Sequence, residues 1–136
     1  MREIIKKEGD YKSWVYQAKN GTQYNCVIKR NKALGNLCGY VEIDNDNKLH
    51  GTSYWDINFE VHGGITYGDI TEDSKSIYGF DCSHYGDMTF FKGVIGDQVG
   101  IYRDMYYVTN ECEKLAEQFS KYSLSAERNM KIDFLV

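Results

Sequence analysis

Histidine, aspartate and glycine residues are concentrated in three short segments between Val61 and Glu113. The segments read VHGGITYGDI from Val61, IYGFDCSHYGDM from Ile77 and IYRDMYYVTNECE from Ile101. Imidazoles and carboxylates transfer protons or bind metal ions, and glycines let a backbone approach another group closely. A functional site is therefore expected in these three segments.

Two histidines and one aspartate from these segments are candidate catalytic residues. His62 directly precedes a Gly-Gly pair, and His84 lies three residues after Asp81 near the end of a predicted strand. Two imidazoles and a carboxylate can act as an acid–base pair or as metal ligands. No spacing here matches a metal-binding or catalytic signature, so neither a metal nor a cofactor is predicted. The structural alternative is that Asp81 and Asp87 cap turns, and that the histidines are hydrogen-bonded groups at strand ends.

A second set of residues is predicted to bind a ligand. Arg103 lies beside Asp104, where a helix is expected to begin, and a guanidinium near helix N–H groups can bind a phosphate. The alternative is a surface Arg–Asp pair that leads into a capped helix. Aromatic rings can stack on a base, although ordinary sheet packing also requires them. The predicted ligand-binding residues are Arg103, Phe80, Tyr67 and Asp87.

The composition predicts one globular domain that spans residues 1–136. Hydrophobic residues make up 42% of the chain and charged residues 26%, which is typical of a folded protein. A net charge of −4 opposes binding to duplex nucleic acid. The four scattered cysteines are expected to be small core residues. The sequence predicts neither a signal peptide nor a membrane span, and hence a cytoplasmic protein.

Alternating apolar and polar residues predict an antiparallel sheet of about six strands. The first two, Tyr11–Ala18 and Gln23–Arg30, flank an Asn-Gly pair that is typical of a two-residue hairpin turn. Such a turn would pair Val15 with Cys26 and place apolar groups on both faces of the hairpin, so both faces are expected to be covered. The further predicted strands are Cys38–Ile43, Ser53–Val61, Ile65–Ile70 and Ile77–Ser83, with up to two more between Met88 and Ile101.

One long helix is predicted toward the carboxyl end, with Asp104 as its N-cap. Apolar residues recur there at steps of three and four, which places them on one helix face. These residues are Met105, Val108, Cys112, Leu115, Phe119 and Tyr122. The expected fold class is α+β, with the helix packed on the sheet.

Four blocks of the sequence resemble a group of small phage and prophage proteins of Firmicutes. The blocks are CGYVEI, VHGGITY, GFDCSHYGD and YRDMYYVTNECEKLAEQ, in that order, between Cys38 and Gln118. This chain departs from the family pattern at LHGTSYWD, where the family has a proline-containing loop, so no role is carried over to His50. The resemblance implies a phage-encoded accessory protein inside the host cell. Such proteins often act against host immunity by sequestering or cleaving small nucleotide signals.

Three functions follow as hypotheses. The first is a homo-oligomeric protein that binds and sequesters a small, phosphate-bearing, nucleotide-type immune signal. The second is a hydrolase or phosphodiesterase that cleaves such a signal, with His62 and His84 as acid and base and Asp81 orienting one of them. The third is a protein-binding inhibitor of a host factor, for which a net charge of −4 is mild if it acts as a nucleic-acid mimic.

Overall fold

The protein folds as a five-stranded antiparallel sheet with one long helix across one face. This computed structural model describes residues 6–89 and 100–126. The strands are β1 (Tyr11–Gln17), β2 (Gln23–Arg30), β3 (Leu37–Ile43), β4 (Tyr67–Ile70) and β5 (Ser76–Asp81). Neighbouring strands pair in the order β1-β2-β3-β5-β4. With the helix α1 (Met105–Ser120), the fold is α+β, as the sequence predicts.

The core lies between α1 and the face of the sheet beneath it. Alternate side chains of β2 and β3 point toward the helix, and the predicted helical stripe points back at them. A Cβ at Gly39 would lie 2.6 Å from Sγ of Cys112, so the glycine allows β3 and α1 to approach closely. The cysteines are free, and burial raises the pKa of the Cys26 thiol to about 12. The fully buried residues of α1 are Val108, Cys112, Leu115, Ala116 and Phe119.

The helix begins where the sequence predicts. Oδ1 of Asp104 accepts a hydrogen bond from the N–H of Tyr107 at 2.8 Å, which is an N-cap contact. Oε2 of Glu8 accepts from the N–H of Met105 at 2.7 Å. Further along α1, polar side chains at one edge of the helix form hydrogen bonds with side chains of β1. These contacts join Lys12 to Thr109, Trp14 to Glu113 and Tyr16 to Glu117.

The predicted hairpin forms, but its register is shifted by one residue. Cys26 pairs with Trp14 and not with Val15. The turn holds three residues rather than two, because the N–H of Ala18 bonds across residues 19–21 at 2.8 Å and a glycine with φ +89° ends the turn. Since a shift of one residue exchanges the two faces of a strand, Val15 is 59% exposed. The prediction that both faces of the hairpin are apolar and covered is therefore wrong for Val15.

The predicted strand Ser53–Val61 is wrong, and its loss lowers the strand count in the described residues to five. The segment starts with a 3₁₀ turn at Tyr54–Asp56 and leaves Trp55 72% exposed. Its backbone then bonds to a helix side chain in place of another strand. Oε1 of Gln118 accepts from the N–H of Glu60, and Nε2 of Gln118 donates to the carbonyl of Glu60, both at 2.8 Å. This pairing directs the chain along α1 toward His62.

The predicted strands between Met88 and Ile101 lie mostly outside the described residues, which omit 90–99. Asp87 and Ile101 form an isolated parallel bridge. The bridge brings the turn after β5 beside the segment that leads into α1. No helix in residues 6–89 and 100–126 is long and apolar enough to cross a membrane.

Candidate functional site

Asp87 is the centre of a buried polar cluster to which three segments of the chain contribute. Its carboxylate accepts hydrogen bonds from Nε2 of His62 at 2.7 Å, Nε of Arg103 at 2.9 Å and the backbone N–H of His84 at 3.1 Å. The Asp87 side chain is only 1% exposed. Burial by itself raises the pKa of this carboxyl, but the three hydrogen bonds outweigh burial and hold its pKa below the usual value. Asp87 is therefore a buried carboxylate anion at neutral pH.

His62 uses both ring nitrogens within the cluster. A carboxylate can only accept, so Nε2 must carry the hydrogen that bonds to Asp87. In the neutral ring Nδ1 is then an acceptor, and the phenol of Tyr107 donates to it at 2.8 Å. The backbone N–H of His62 donates to Oε1 of Glu111 at 2.9 Å. These bonds fix the ring and leave neither of its nitrogens for a ligand.

His84 and Asp81 form a looser pair beside this cluster. The ring centroids of His84 and His62 are 5.9 Å apart, so the two histidines lie close together. Nε2 of His84 lies 3.2 Å from Oδ1 of Asp81, but the direction between these atoms is not that of a hydrogen bond. Asp81 instead accepts from Oγ of Ser83 at 2.7 Å and from Oγ1 of Thr66 at 3.0 Å. These bonds lower the pKa of the Asp81 carboxyl against the opposing effect of burial.

Gly63 makes room for the His84 ring. A Cβ at this position would lie 2.1 Å from Nε2 of His84, and the backbone is left-handed with φ +68°. The next residue, Gly64, has φ +80° but no heavy atom within 4 Å of its would-be Cβ. Gly63 is therefore required both for its left-handed backbone and for the room it leaves to the His84 ring. Gly64 is required only for its left-handed backbone.

Arg103 is anchored on one edge and open on the other. Its Nε bonds to Asp87, which raises the pKa of the guanidinium, and its Cζ lies 5.0 Å from the ring centroid of Tyr107. The side chain is 22% exposed. Its two terminal amino groups form no hydrogen bond with any described residue. These amino groups form an edge that can bind two oxygens of one anion.

The start of α1 contributes less to anion binding than the sequence suggests. The N–H of Met105 bonds to Glu8 and that of Tyr107 to Asp104. Two of the oriented donors that were expected to assist Arg103 are therefore occupied by carboxylates. An anion at this position would be bound chiefly by the guanidinium.

The structure brings together most of the predicted site residues but not all of them. Phe80 is 1% exposed in the core beneath α1, which leaves no surface for a ligand. Tyr67 lies on the other face of the sheet, where its ring centroid is 5.6 Å from that of Tyr40. The predicted residues that meet at or beside the cluster are His62, Asp81, His84, Asp87 and Arg103.

Two residues of the cluster were not predicted from the sequence. Tyr107 holds His62 through its hydroxyl, and Glu111 holds the backbone of the same residue. Together with Arg103 they recur every four residues, which is the spacing of one helix face. This spacing could have indicated that the three side chains share one face of the helix. The apolar stripe on the neighbouring face is longer and more regular, and the prediction of the helix rests on that stripe.

No model of a known protein family, no curated protein and no solved structure matches this chain. In the described part of the chain, no group of three or more histidine, cysteine, aspartate or glutamate side chains is arranged to hold a metal ion. The fold and the site together define an α+β domain in which a loop, a turn and a helix start meet at one buried carboxylate.

Proposed function

We propose that the protein binds and sequesters a small nucleotide-type signal, and that Arg103 contacts the phosphate of that signal. The anchored guanidinium is the observation that carries this proposal. Asp87 fixes Nε of Arg103 at 2.9 Å, and the Tyr107 ring supports the group from one side. A guanidinium held in this way loses little conformational freedom when its free edge binds two phosphate oxygens.

The state of His62 favours sequestration over cleavage. General acid–base catalysis needs a ring nitrogen within hydrogen-bond reach of the substrate. Both ring nitrogens of His62 are bonded to Asp87 and Tyr107. His62, which the sequence offers as one member of an acid–base pair, therefore orients Asp87 and Tyr107. The ligand is released unaltered.

Features of the sequence support the proposed biological context and the proposed class of ligand. The resemblance to small phage proteins favours a phage-encoded counter-defence role in the host cytoplasm. The net charge of −4 favours a small ligand over duplex nucleic acid. A homo-oligomeric state belongs to the same proposal, and sedimentation velocity measures it directly.

Calorimetry with a panel of cyclic and ADP-ribose-type nucleotides tests the proposal. Arg103→Ala should weaken binding of the active ligand by roughly tenfold to a hundredfold, because a charged hydrogen bond is lost. Arg103→Lys keeps a cation beside Asp87 but loses the planar guanidinium that can bind two phosphate oxygens, and should also bind more weakly. Lys121→Ala removes the same charge from an exposed site just after α1 and is the matched control. Chromatography after denaturation should recover the ligand intact.

A hydrolase is the second candidate, and the His84–Asp81 pair favours it. Nε2 of His84 has no hydrogen-bond partner among the described residues and is within 3.2 Å of a carboxylate oxygen. Catalytic hydrogen bonds often become aligned only when substrate binds. If the wild type releases new products, and His84→Gln still binds but no longer forms them, the protein is an enzyme with His84 as its base.

The third hypothesis is an inhibitor of a host protein, and evidence for it would contradict both the sequestration and the hydrolase proposals. A broad nucleotide panel that gives no heat with the wild type, together with tight capture of one host protein, would show that the ligand is a protein.

A further inference from the structure

The face of the sheet that points away from α1 contains a cavity of about 250 Å³. All five strands contribute to it, and three of its six lining residues are tyrosines. We name it the tyrosine cavity. Its lining residues are Tyr11, Val27, Lys29, Tyr40, Tyr67 and Ile77.

A glycine shapes the floor of the tyrosine cavity. Gly79 of β5 pairs with Tyr40 on one side and with Tyr67 on the other. A Cβ at Gly79 would lie 2.5 Å from the Tyr40 ring, so that ring lies across the space that a side chain would fill. The rings of Tyr40 and Tyr67 meet edge to face at 88°. They form a corner in which a flat ring can contact the face of one tyrosine and the edge of the other.

Charge is distributed unevenly around this corner. Nζ of Lys29 lies 5.9 Å from the ring centroid of Tyr40, and this ammonium has no ion-pair partner among the residues that the structure describes. On the opposite side the hydroxyl of Tyr67 donates to Asp69 at 3.3 Å. Asp69 also accepts from the N–H of Ile70 at 2.8 Å. An anionic ligand would therefore place its charge at the Lys29 end.

We propose that the tyrosine cavity binds a planar aromatic anion of the mononucleotide class. The base would lie in the corner of Tyr40 and Tyr67, and the phosphate would contact Lys29. The volume is below the roughly 300–1,000 Å³ of pockets for drug-sized molecules, which favours a single ring system over a larger ligand. This site shares no residue with the Arg103 cluster, so it goes beyond the function proposed above.

Titration of the full chain with adenosine monophosphate tests the inference. The probe should bind the wild type and shift the ring resonances of Tyr40 and Tyr67 in NMR spectra. Lys29→Gln should weaken binding by about tenfold or more, because a charged contact is lost. Tyr67→Ala should weaken it by roughly fivefold to a hundredfold through lost stacking. Lys32→Gln, which removes the same charge from an exposed loop, should leave the affinity unchanged.

Two simpler probes separate the parts of the ligand. Adenosine should bind the wild type more weakly than the monophosphate and be insensitive to Lys29→Gln. Inorganic phosphate alone should leave the tyrosine resonances unmoved. Circular dichroism of each variant checks that the variant is folded, so that a missing NMR shift can be attributed to lost binding.

Arg103→Ala distinguishes this inference from the proposed function. If the monophosphate still shifts Tyr40 and Tyr67 in that variant, the tyrosine cavity binds independently. The inference is overturned if those resonances never move, or if Arg103→Ala abolishes binding while Lys29→Gln does not. It is also overturned if sedimentation shows a dimer that Tyr67→Ala disperses, because this face would then be an interface between copies.

Discussion

At the scale of single residues, the Asp87 carboxylate joins a loop, a turn and the start of a helix through three hydrogen bonds. Asp87→Asn keeps the size of the side chain but removes the charge and turns an NH₂ group toward donors. We expect unfolding in urea to show a loss of about 3 kcal/mol, as for other broken buried pairs. Tyr107→Phe removes one neutral hydrogen bond at the rim of the cluster and should cost only about 1 kcal/mol. Equal losses in the two variants would show that Asp87 is not the centre of the cluster.

The lowered pKa of Asp87 predicts how stability depends on pH. The unfolded chain takes up this proton near the ordinary aspartate pKa of about 3.9, whereas the folded chain takes it up only at lower pH. The contribution of Asp87 is therefore fully present above that ordinary value and is lost as the pH falls through the lowered folded value. Free energies of unfolding measured from pH 7 down to pH 3 should fall less steeply below about pH 4 in Asp87→Asn than in the wild type. Parallel curves would contradict this assignment. Some acid dependence should remain, because the pKa of Asp81 is also lowered.

The Gly-Gly pair offers a matched comparison. Both glycines are left-handed, but only Gly63 has its missing Cβ position occupied by the ring of His84. Gly64→Ala should cost about 1 kcal/mol from backbone strain. Gly63→Ala should cost at least about 1 kcal/mol more, because the imidazole must move out of its place. The ring-proton NMR signals of His84 should shift in Gly63→Ala and stay in place in Gly64→Ala, and identical spectra for the two variants would refute the contact.

At the scale of elements, the strands and the helix whose apolar residues recur with the period of a strand or a helix were predictable from the sequence. Strands β1, β2 and β3 and the start of α1 lie within a residue or so of their predicted bounds. The alternation in Ser53–Val61 is equally regular, yet no strand forms there. Ile57 and Val61 are buried and Phe59 packs against the core, whereas Trp55 is exposed. Gln118 satisfies the backbone at Glu60 in place of a neighbouring strand. Alternation therefore indicates most of the buried side chains here but does not reveal what bonds to the backbone.

The candidate site was predictable to a similar degree. Residue type and the nearby glycines identified His62, His84 and Asp87, and the predicted helix start identified Arg103. Their partners were not predictable, because the bond from Tyr107 to His62 depends on how α1 lies against a loop 45 residues earlier in the sequence. The hairpin register was predicted wrongly for a local reason, because backbone bonds from Ala18 to Thr22 and from Gly21 to Ala18 close a three-residue turn where the Asn-Gly pair favours two residues.

The buried stripe of α1 is the element on which the core depends. Leu115 is fully buried between the helix and the sheet. Leu115→Ala should lower the free energy of unfolding by about 2–5 kcal/mol, through lost burial and the cavity left behind. Asn110→Ala, at an exposed position of the same helix, should change it by less than about 0.5 kcal/mol. Chemical denaturation measures both variants, and a small effect at Leu115 would place the stripe outside the core.

At the scale of the whole molecule, residues far apart in sequence are joined across the interface of β1 and α1. Nε1 of Trp14 donates to Glu113 at 3.1 Å, and the hydroxyl of Tyr16 donates to Glu117 at 2.7 Å. The first strand and the helix therefore lose their partners together when either unfolds. This arrangement favours a single cooperative unit over two independently stable halves.

Cooperative unfolding can be measured with Trp14 as an internal probe. The other tryptophan, Trp55, is largely exposed and would add a background signal, so Trp55→Phe isolates the fluorescence of Trp14. In this variant the Trp14 transition in urea, which reports the interface of β1 and α1, should coincide with the transition in far-ultraviolet circular dichroism, which reports the whole backbone. The same midpoint and slope from both probes would establish one folding unit. A fluorescence change at lower urea than the loss of circular dichroism would instead mean that β1 separates from α1 before the remaining sheet and helix unfold.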